Sequence, residues 1–284
     1  MKRITILLIA TTAFAASEMQ SPSLGWIWDR DAKSLRRLAG LPGALRNEPG
    51  VDLGEGVRAV WLSPTQNEAL VVRDGGLLER RNLLNGETVR LEVEAPDSVI
   101  YSPDGKQLGL WWKSAGRFAI WGEASRDLVA SRIVLTNDAE LISLESDGVL
   151  RSSRGAWLGT FGAGAAIALA SNRLAVAGNG VVTLFEKTAD SWTQRSRRED
   201  ARIDAWSQIE FESTDSLLAV NAAHGVERWN LTTGETQTLA DTGVTSLSLL
   251  RQPGFYLAEG DTLRLMFALS ESQRLYALPA GEVR

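Results

Sequence analysis

Apolar positions in this chain fall in short runs separated by turn residues, and the best-formed example spans Ser98 to Trp121. Val99 to Tyr101 is an apolar run. Ser102-Pro103-Asp104-Gly105-Lys106 follows with turn chemistry: Pro fixes φ, Asp hydrogen-bonds locally and Gly accepts positive φ. Leu108 to Trp112 is a second run, Lys113-Ser114-Ala115-Gly116 a second turn, and Phe118 to Trp121 a third run. Connections this short predict antiparallel neighbouring strands. The strands do not alternate between apolar and polar. Leu108, Leu110, Trp111 and Trp112 load both faces of one strand, as in a sheet packed between two others.

The same pattern recurs along the chain. Gly25 to Asp29 and Leu35 to Leu38 predict two strands, a third and a fourth, of a partial first unit. Gly40 to Gly56, rich in Gly and Pro, reads as a long connection that could cap one face of the fold. Val57 to Leu91 is a second unit, with Trp61-Leu62-Ser63-Pro64 matching Tyr101-Ser102-Pro103. The unit containing Ser98 to Trp121 is predicted to run on through Leu128 to Ile133. A short fourth unit spans Glu140 to Phe161, a fifth Ala165 to Arg197, a sixth Ser207 to Leu239 and a seventh Val244 to Leu278. Gly178-Asn179-Gly180 is a hairpin signal inside the fifth. Corresponding positions recur at about forty residues, the period of a four-stranded blade. The predicted fold is all-β: a single-domain β-propeller of about seven, alternatively six, four-stranded blades. An outer-membrane barrel is the all-β alternative, but the ending Pro279 to Arg284 supplies no terminal strand for one.

Two stretches carry a family likeness. Tyr101-Ser102-Pro103-Asp104-Gly105-Lys106-Gln107-Leu108 and Asn230-Leu231-Thr232-Thr233-Gly234-Glu235 resemble the WD-repeat-like propellers. The opening from Gly25 through Gly43 is similar to secreted bacterial propellers of unassigned function. The resemblance covers nearly the whole mature chain. It departs from the eukaryotic WD pattern, since the full Gly-His to Trp-Asp signature is missing and the fourth and fifth units have degenerate turns. It implies a fold and a binding role, with no particular partner, because such propellers host many functions.

The amino end changes the picture of location. Lys2 and Arg3 precede an apolar stretch from Ile4 to Ala10, and Ala13-Phe14-Ala15 is an Ala-x-Ala cleavage signal. Residues 1–15 therefore read as a signal peptide and 16–284 as the propeller domain, placed in the periplasm or secreted. The chain has no cysteine, which excludes a lipid-anchoring cysteine, disulfides and thiolate metal sites. Loss of Lys2 and Arg3 leaves 28 basic against 35 acidic residues, a net −7. That charge argues against a nucleic-acid partner. No later stretch is long and apolar enough to span a bilayer as a helix.

Candidate chemistry is sparse. His224 is the sole histidine, and it precedes Gly225 in a predicted turn, where His tolerates left-handed geometry. It reads as a turn residue rather than a triad base. Asp29 and Asp31 have partial Ca²⁺-loop spacing but lack the glycine and distal Glu of such a loop. Trp111 and Trp112 read as rings buried between blades rather than a ligand platform. Arg195, Arg197 and Arg198 with Glu199 and Asp200 read as a solvated mixed-charge loop. No nucleophile elbow, P-loop or dinucleotide fingerprint is present. No residue is assigned a catalytic, cofactor-binding or metal role, and no cofactor is expected. The sequence favours a non-enzymatic binding or scaffolding propeller whose partner is another protein of the cell envelope. The alternative is a propeller-fold hydrolase or lyase with carboxylates in the central channel. A quinone-cofactor dehydrogenase would need a regular Trp-docking pattern between blades, and that pattern is missing.

Overall fold

A computed structural model describes residues 23–29, 33–41, 44–223, 225–240, 243–250, 255–260, 264–267 and 275–277. Among them the chain forms seven antiparallel sheets in sequence order. The first has three strands, β1 (Ser23–Asp29), β2 (Ser34–Leu41) and β3 (Ala44–Asp52). The other six have four each. The second holds β4 (Val57–Leu62), β5 (Glu68–Arg73), β6 (Leu78–Asn82) and β7 (Thr88–Leu91). The third holds β8 (Ser98–Tyr101), β9 (Leu108–Trp112), β10 (Arg117–Ile120) and β11 (Arg126–Asp127). The fourth holds β12 (Arg132–Leu135), β13 (Leu141–Leu144), β14 (Val149–Ser152) and β15 (Trp157–Thr160). The fifth holds β16 (Ala166–Ala170), β17 (Arg173–Gly178), β18 (Val181–Thr188) and β19 (Ser191–Glu199). The sixth holds β20 (Trp206–Phe211), β21 (Ser216–Asn221), β22 (Val226–Asn230) and β23 (Thr236–Ala240). The last holds β24 (Ser246–Leu249), β25 (Phe255–Glu259), β26 (Arg264–Phe267) and β27 (Leu275–Ala277).

Within each four-stranded sheet the strands pair in chain order, as short turns dictate. The first strands of neighbouring sheets touch one another, β8 with β12, β12 with β16, β16 with β20 and β20 with β24. They form the inner wall, and each blade grows outward from it. Arg132 reaches from β12 to the Ser207 carbonyl on β20, 2.9 Å away, and so ties blades that are not neighbours in the chain.

The apolar core is a set of layers, one between each pair of adjacent sheets. Leu217 and Ala219 on β21 pack toward the fifth sheet, and Leu218 and Val220 on the same strand pack toward the last. A sheet enclosed on both faces needs apolar side chains at consecutive positions, which is why the strands do not alternate. Trp112 packs toward the second sheet with Leu70 and Leu78, and Trp111 toward the fourth with Ile133 and Leu135. Each such burial contributes roughly 1.5–3 kcal/mol. The three-stranded sheet fits between the ends of the series. Its Leu24, Ile27 and Leu38 meet Leu250, Phe255 and Leu257 of the last sheet, while Leu35 meets Val57, Ala69 and Val71 of the second. The structure thus has six four-stranded blades, with the three-stranded sheet packed between the first and last of them.

Three sequence expectations need correction. Gly40 to Gly56 is not an open connection: most of it is β3, paired with β2. Pro49 and Gly50 misled the reading because they occupy a bulge, two residues opposite Arg36 alone. A Cβ on Gly50 would lie 2.5 Å from the Leu35 carbonyl oxygen, so the close approach demands glycine. The third unit does not extend to Ile133. It ends with the two-residue β11, and Arg132 to Leu135 open the fourth sheet, which is complete. Both residues of β11 are exposed and neither is apolar, so no hydrophobic signal marked that strand. Ser191 to Glu199 is the outer strand of the fifth sheet rather than a charged loop. Its exposure leaves it free to carry charge, and Arg195 pairs with Glu186 on β18 at 2.6 Å.

Candidate functional site

The sequence candidates are held apart. His224 lies outside the described residues; the turn around it is held by Asn221, whose Oδ1 accepts from the backbone N–H groups of Ala223 and Gly225. Asp29 pairs with Arg36 across β1 and β2 at 2.7 Å, and Asp31 lies outside the described residues. The side chains of Trp111 and Trp112 are less than a tenth exposed, one on each face of β9. Arg197 pairs with Glu199, Arg198 donates to the Thr232 carbonyl and Arg202 clasps Asp200.

Carboxylates are mostly spent on structure. Glu140 is almost fully buried between the fourth and fifth sheets. Its Oε1 accepts from the Ser152 hydroxyl and from Trp192 Nε1, and its Oε2 lies 2.6 Å from Lys187 Nζ. Lys187 also holds Asp138, and Arg154 pairs with Asp138 at 2.7 Å. Desolvation raises the Asp138 carboxyl, but hydrogen bonds from Lys187 and Thr136 and the charges of Lys187 and Arg154 outweigh it, so it titrates well below the usual range. On the inner wall, burial pushes the Glu210 carboxyl up to about 7, against a hydrogen bond from Gln208. Gln208 at the same time grips the Leu247 backbone at both N–H and carbonyl, joining the sixth and last sheets. Among the described residues no group of three or more His, Cys, Asp or Glu side chains is placed to hold a metal ion. No helix among them is long and apolar enough to cross a membrane.

Two grooves lie where the second and third sheets meet. They share Trp121, which is 37% exposed at the end of β10. The first, about 480 Å³, is lined mostly by polar and charged residues and is called the polar groove below. One wall is the ion pair of Arg80 and Glu68, with Nε 2.8 Å from the carboxylate. The other is the turn from Ser102 to Gln107. There Asp104 Oδ1 accepts from the Ser102 hydroxyl at 2.7 Å and from the Lys106 N–H at 3.1 Å. Desolvation raises Asp104, yet these bonds and the charge of Lys106 bring it below its ordinary value. Gly105 takes φ of 72°, which the turn requires. Asn67 lines the groove, and its Oδ1 is buried without a hydrogen-bond partner, as is the hydroxyl of Tyr101 behind Glu68 and Arg80. Desolvation and the nearby Glu68 carboxylate both raise the Tyr101 phenol.

The second groove, about 400 Å³, is apolar. Leu110, Trp112, Ala119 and Ile120 form it with Val93, and Glu123 stands at its rim. It exists because β11 pairs only with Arg117 and Phe118, so no outer strand runs alongside Ala119 and Ile120. Arg117 lies over the Trp112 ring, 5.3 Å from its centroid, and is held by Glu94 at 2.7 Å. Concave sites with an aromatic wall and a few placed polar groups are the usual form of binding sites. Trp121 was legible as the end of a strand, but nothing in the sequence showed that its neighbouring outer strand stops after two residues.

No family model matches the chain, and no curated relative matches it. Solved structures match its fold. The crystal structure of the RRP9 WD40 repeats is 14% identical and covers 78% of this chain and 79% of that one, with a TM-score of 0.54. The structure of U3-55K is also 14% identical, over 78% and 80%, with a TM-score of 0.50. The computationally designed Ika8 protein, again 14% identical, covers 90% and 87% with a TM-score of 0.51. These likenesses show a WD40-like propeller fold.

Proposed function

We propose that the protein is a non-enzymatic binding or scaffolding propeller that works outside the cytoplasm, with another protein of the cell envelope as its partner. The observation that carries the reading is Trp121, a large ring left 37% exposed between a polar and an apolar groove. Trp111, Trp112, Trp206 and Trp229 are buried and Trp157 is exposed, but among these rings Trp121 alone borders both grooves. WD40-like folds commonly serve as scaffolds, which supports the same reading. The location rests on residues 1–15 as a cleaved leader and on the absence of cysteine.

The test is a photo-crosslinking amino acid placed at Trp121 and, as a control, at Trp157, which is 64% exposed on the fourth sheet. Irradiation in an envelope preparation should yield a discrete protein adduct at 121 and none at 157. No adduct at 121, or the same adducts at both positions, would refute the reading of this site. Sequencing the amino end of exported protein should give Ala16; full-length protein held in the cytoplasm would refute the location.

A further inference from the structure

The two grooves lie along one strand. Leu108 borders the polar groove and Leu110 the apolar one, two residues apart on β9. Same-face positions on an extended chain are separated by about 7 Å. The edges of β9 are taken by β8 and β10, so a second extended chain would lie across the cleft in the direction of β9 and present side chains to both grooves at the same two-residue spacing. An oligosaccharide could stack the C–H face of a sugar on Trp121, but it has no long apolar side chain to fill the other groove and no cation to face Glu123. A peptide carries both kinds of group.

Charge narrows the occupant. In the polar groove Glu68 is paired with Arg80, and Asp104 lies 3.7 Å from Lys106. The charges there neutralise each other, and the neutral amides of Asn67 and Gln107 and the Thr65 hydroxyl complete the lining. That environment suits an amide or hydroxyl side chain and penalises an ion. The apolar groove suits one large aliphatic or aromatic side chain. Its rim is acidic: Glu123 is exposed, has no ion-pair partner among the described residues and stands on the apolar side of Trp121.

We infer that the cleft between the second and third sheets holds an extended segment of a partner protein. The segment carries a large apolar residue in the groove of Leu110 and Trp112. A neutral amide or hydroxyl residue two positions away enters the groove of Glu68 and Arg80, and a basic residue on the opposite flank faces Glu123. This rests on the binding reading above and names its ligand. The partner's backbone lies across Trp121, which serves both halves of the site. Binding of this kind concentrates its energy in a few buried anchors.

The test is selection of a random dodecapeptide library on the purified mature protein, followed by calorimetry with the enriched peptides. Enriched sequences should share the basic, apolar and amide-or-hydroxyl order at that spacing. Trp121→Ala should weaken them at least tenfold. Glu123→Lys, at an exposed turn position, should weaken them at least threefold and select peptides with an acidic residue in place of the basic one. Circular dichroism identical to wild type shows that each variant is folded. Selection of no peptide, or of peptides that bind both variants as well as wild type, would overturn the inference. So would binding of an oligosaccharide array that is lost in Trp121→Ala. A protein adduct captured at position 121 together with either result would leave the binding reading standing and remove only the peptide; no adduct and no peptide would remove both.

Discussion

Gly109→Ala tests whether the layered packing is as tight as the geometry states. Gly109 lies in the middle of β9, opposite Ile100 on one side and Ile120 on the other. Its backbone does not need glycine, because φ there is not in the left-handed region. The constraint is the Phe118 ring: a Cβ at 109 would lie 2.7 Å from Cε2 and 2.8 Å from Cζ. Carbon atoms in ordinary contact stay about 3.5–4.0 Å apart, so the ring must shift by close to an ångström. Phe118 is fully buried among Trp111, Ile133, Leu135 and Leu141, so any shift of its ring presses on that layer. Overpacking of this kind costs about 1–3 kcal/mol. Removing glycine from the unfolded chain returns about 0.4–1 kcal/mol. The net expectation is destabilisation by about 1–2 kcal/mol, read as a lower urea midpoint with unchanged slope. Adding Phe118→Leu shortens the obstructing group, so the double variant should be no less stable than Phe118→Leu alone, a coupling of about 1 kcal/mol or more. A neutral or stabilising Gly109→Ala, or strict additivity in the double variant, would refute the argument.

Lys187→Met strands the buried Glu140 carboxylate, whose remaining cation, Arg154, is 4.0 Å away. It should cost about 3 kcal/mol in chemical unfolding, and adding Glu140→Gln should restore most of that, since the amide oxygen still accepts from Ser152 and Trp192; a loss under about 1 kcal/mol would contradict the buried-charge account. Glu210 is raised from its ordinary 4.5 to about 7, so the folded state holds that proton more tightly than the unfolded chain. Its contribution is complete below pH 4.5 and is lost as pH rises through 7, so the urea midpoint of wild type should fall across that window relative to Glu210→Gln; parallel curves would rule it out. Gly50→Ala should destabilise by about 1–3 kcal/mol, because its Cβ would meet the Leu35 carbonyl of the bulge; thermal melts check this, and an unchanged melting temperature would show that the bulge can relax.

Much of the fold was readable from residue order. The second sheet and β8 to β10 lie where apolar runs and turn residues placed them, and so does the sixth unit, while the strands of the last sheet fall within the bounds of the seventh. What escaped follows from burial. β11 and β19 lie on the outside and carry exposed, largely polar or charged residues, so neither left a hydrophobic trace. β3 was hidden because Pro49 and Gly50 spell a turn in sequence but serve a bulge in the sheet. The candidate cleft was half legible: Trp121, Asp104 and Lys106 belong to the best-preserved repeat, whereas Glu68 and Arg80 come from the unit before it and reach the groove only when the blades are packed.

The sequence alone determined the all-β repeat and its period of about forty residues, because turn chemistry and short apolar runs act between near neighbours. It also determined that strands are enclosed on both faces, since consecutive apolar positions cannot otherwise be hidden from water. Only the tertiary structure decided which units meet, how a three-stranded sheet fits between the first and last blades, and which buried charges find partners across blade boundaries. Those outcomes depend on contacts between residues far apart in the chain, such as the Glu140 and Trp192 side chains or the Gln66 amide and the Trp26 backbone, and no local pattern encodes them. The cleft at Trp121 belongs to that second class, because it opens where an outer strand stops short.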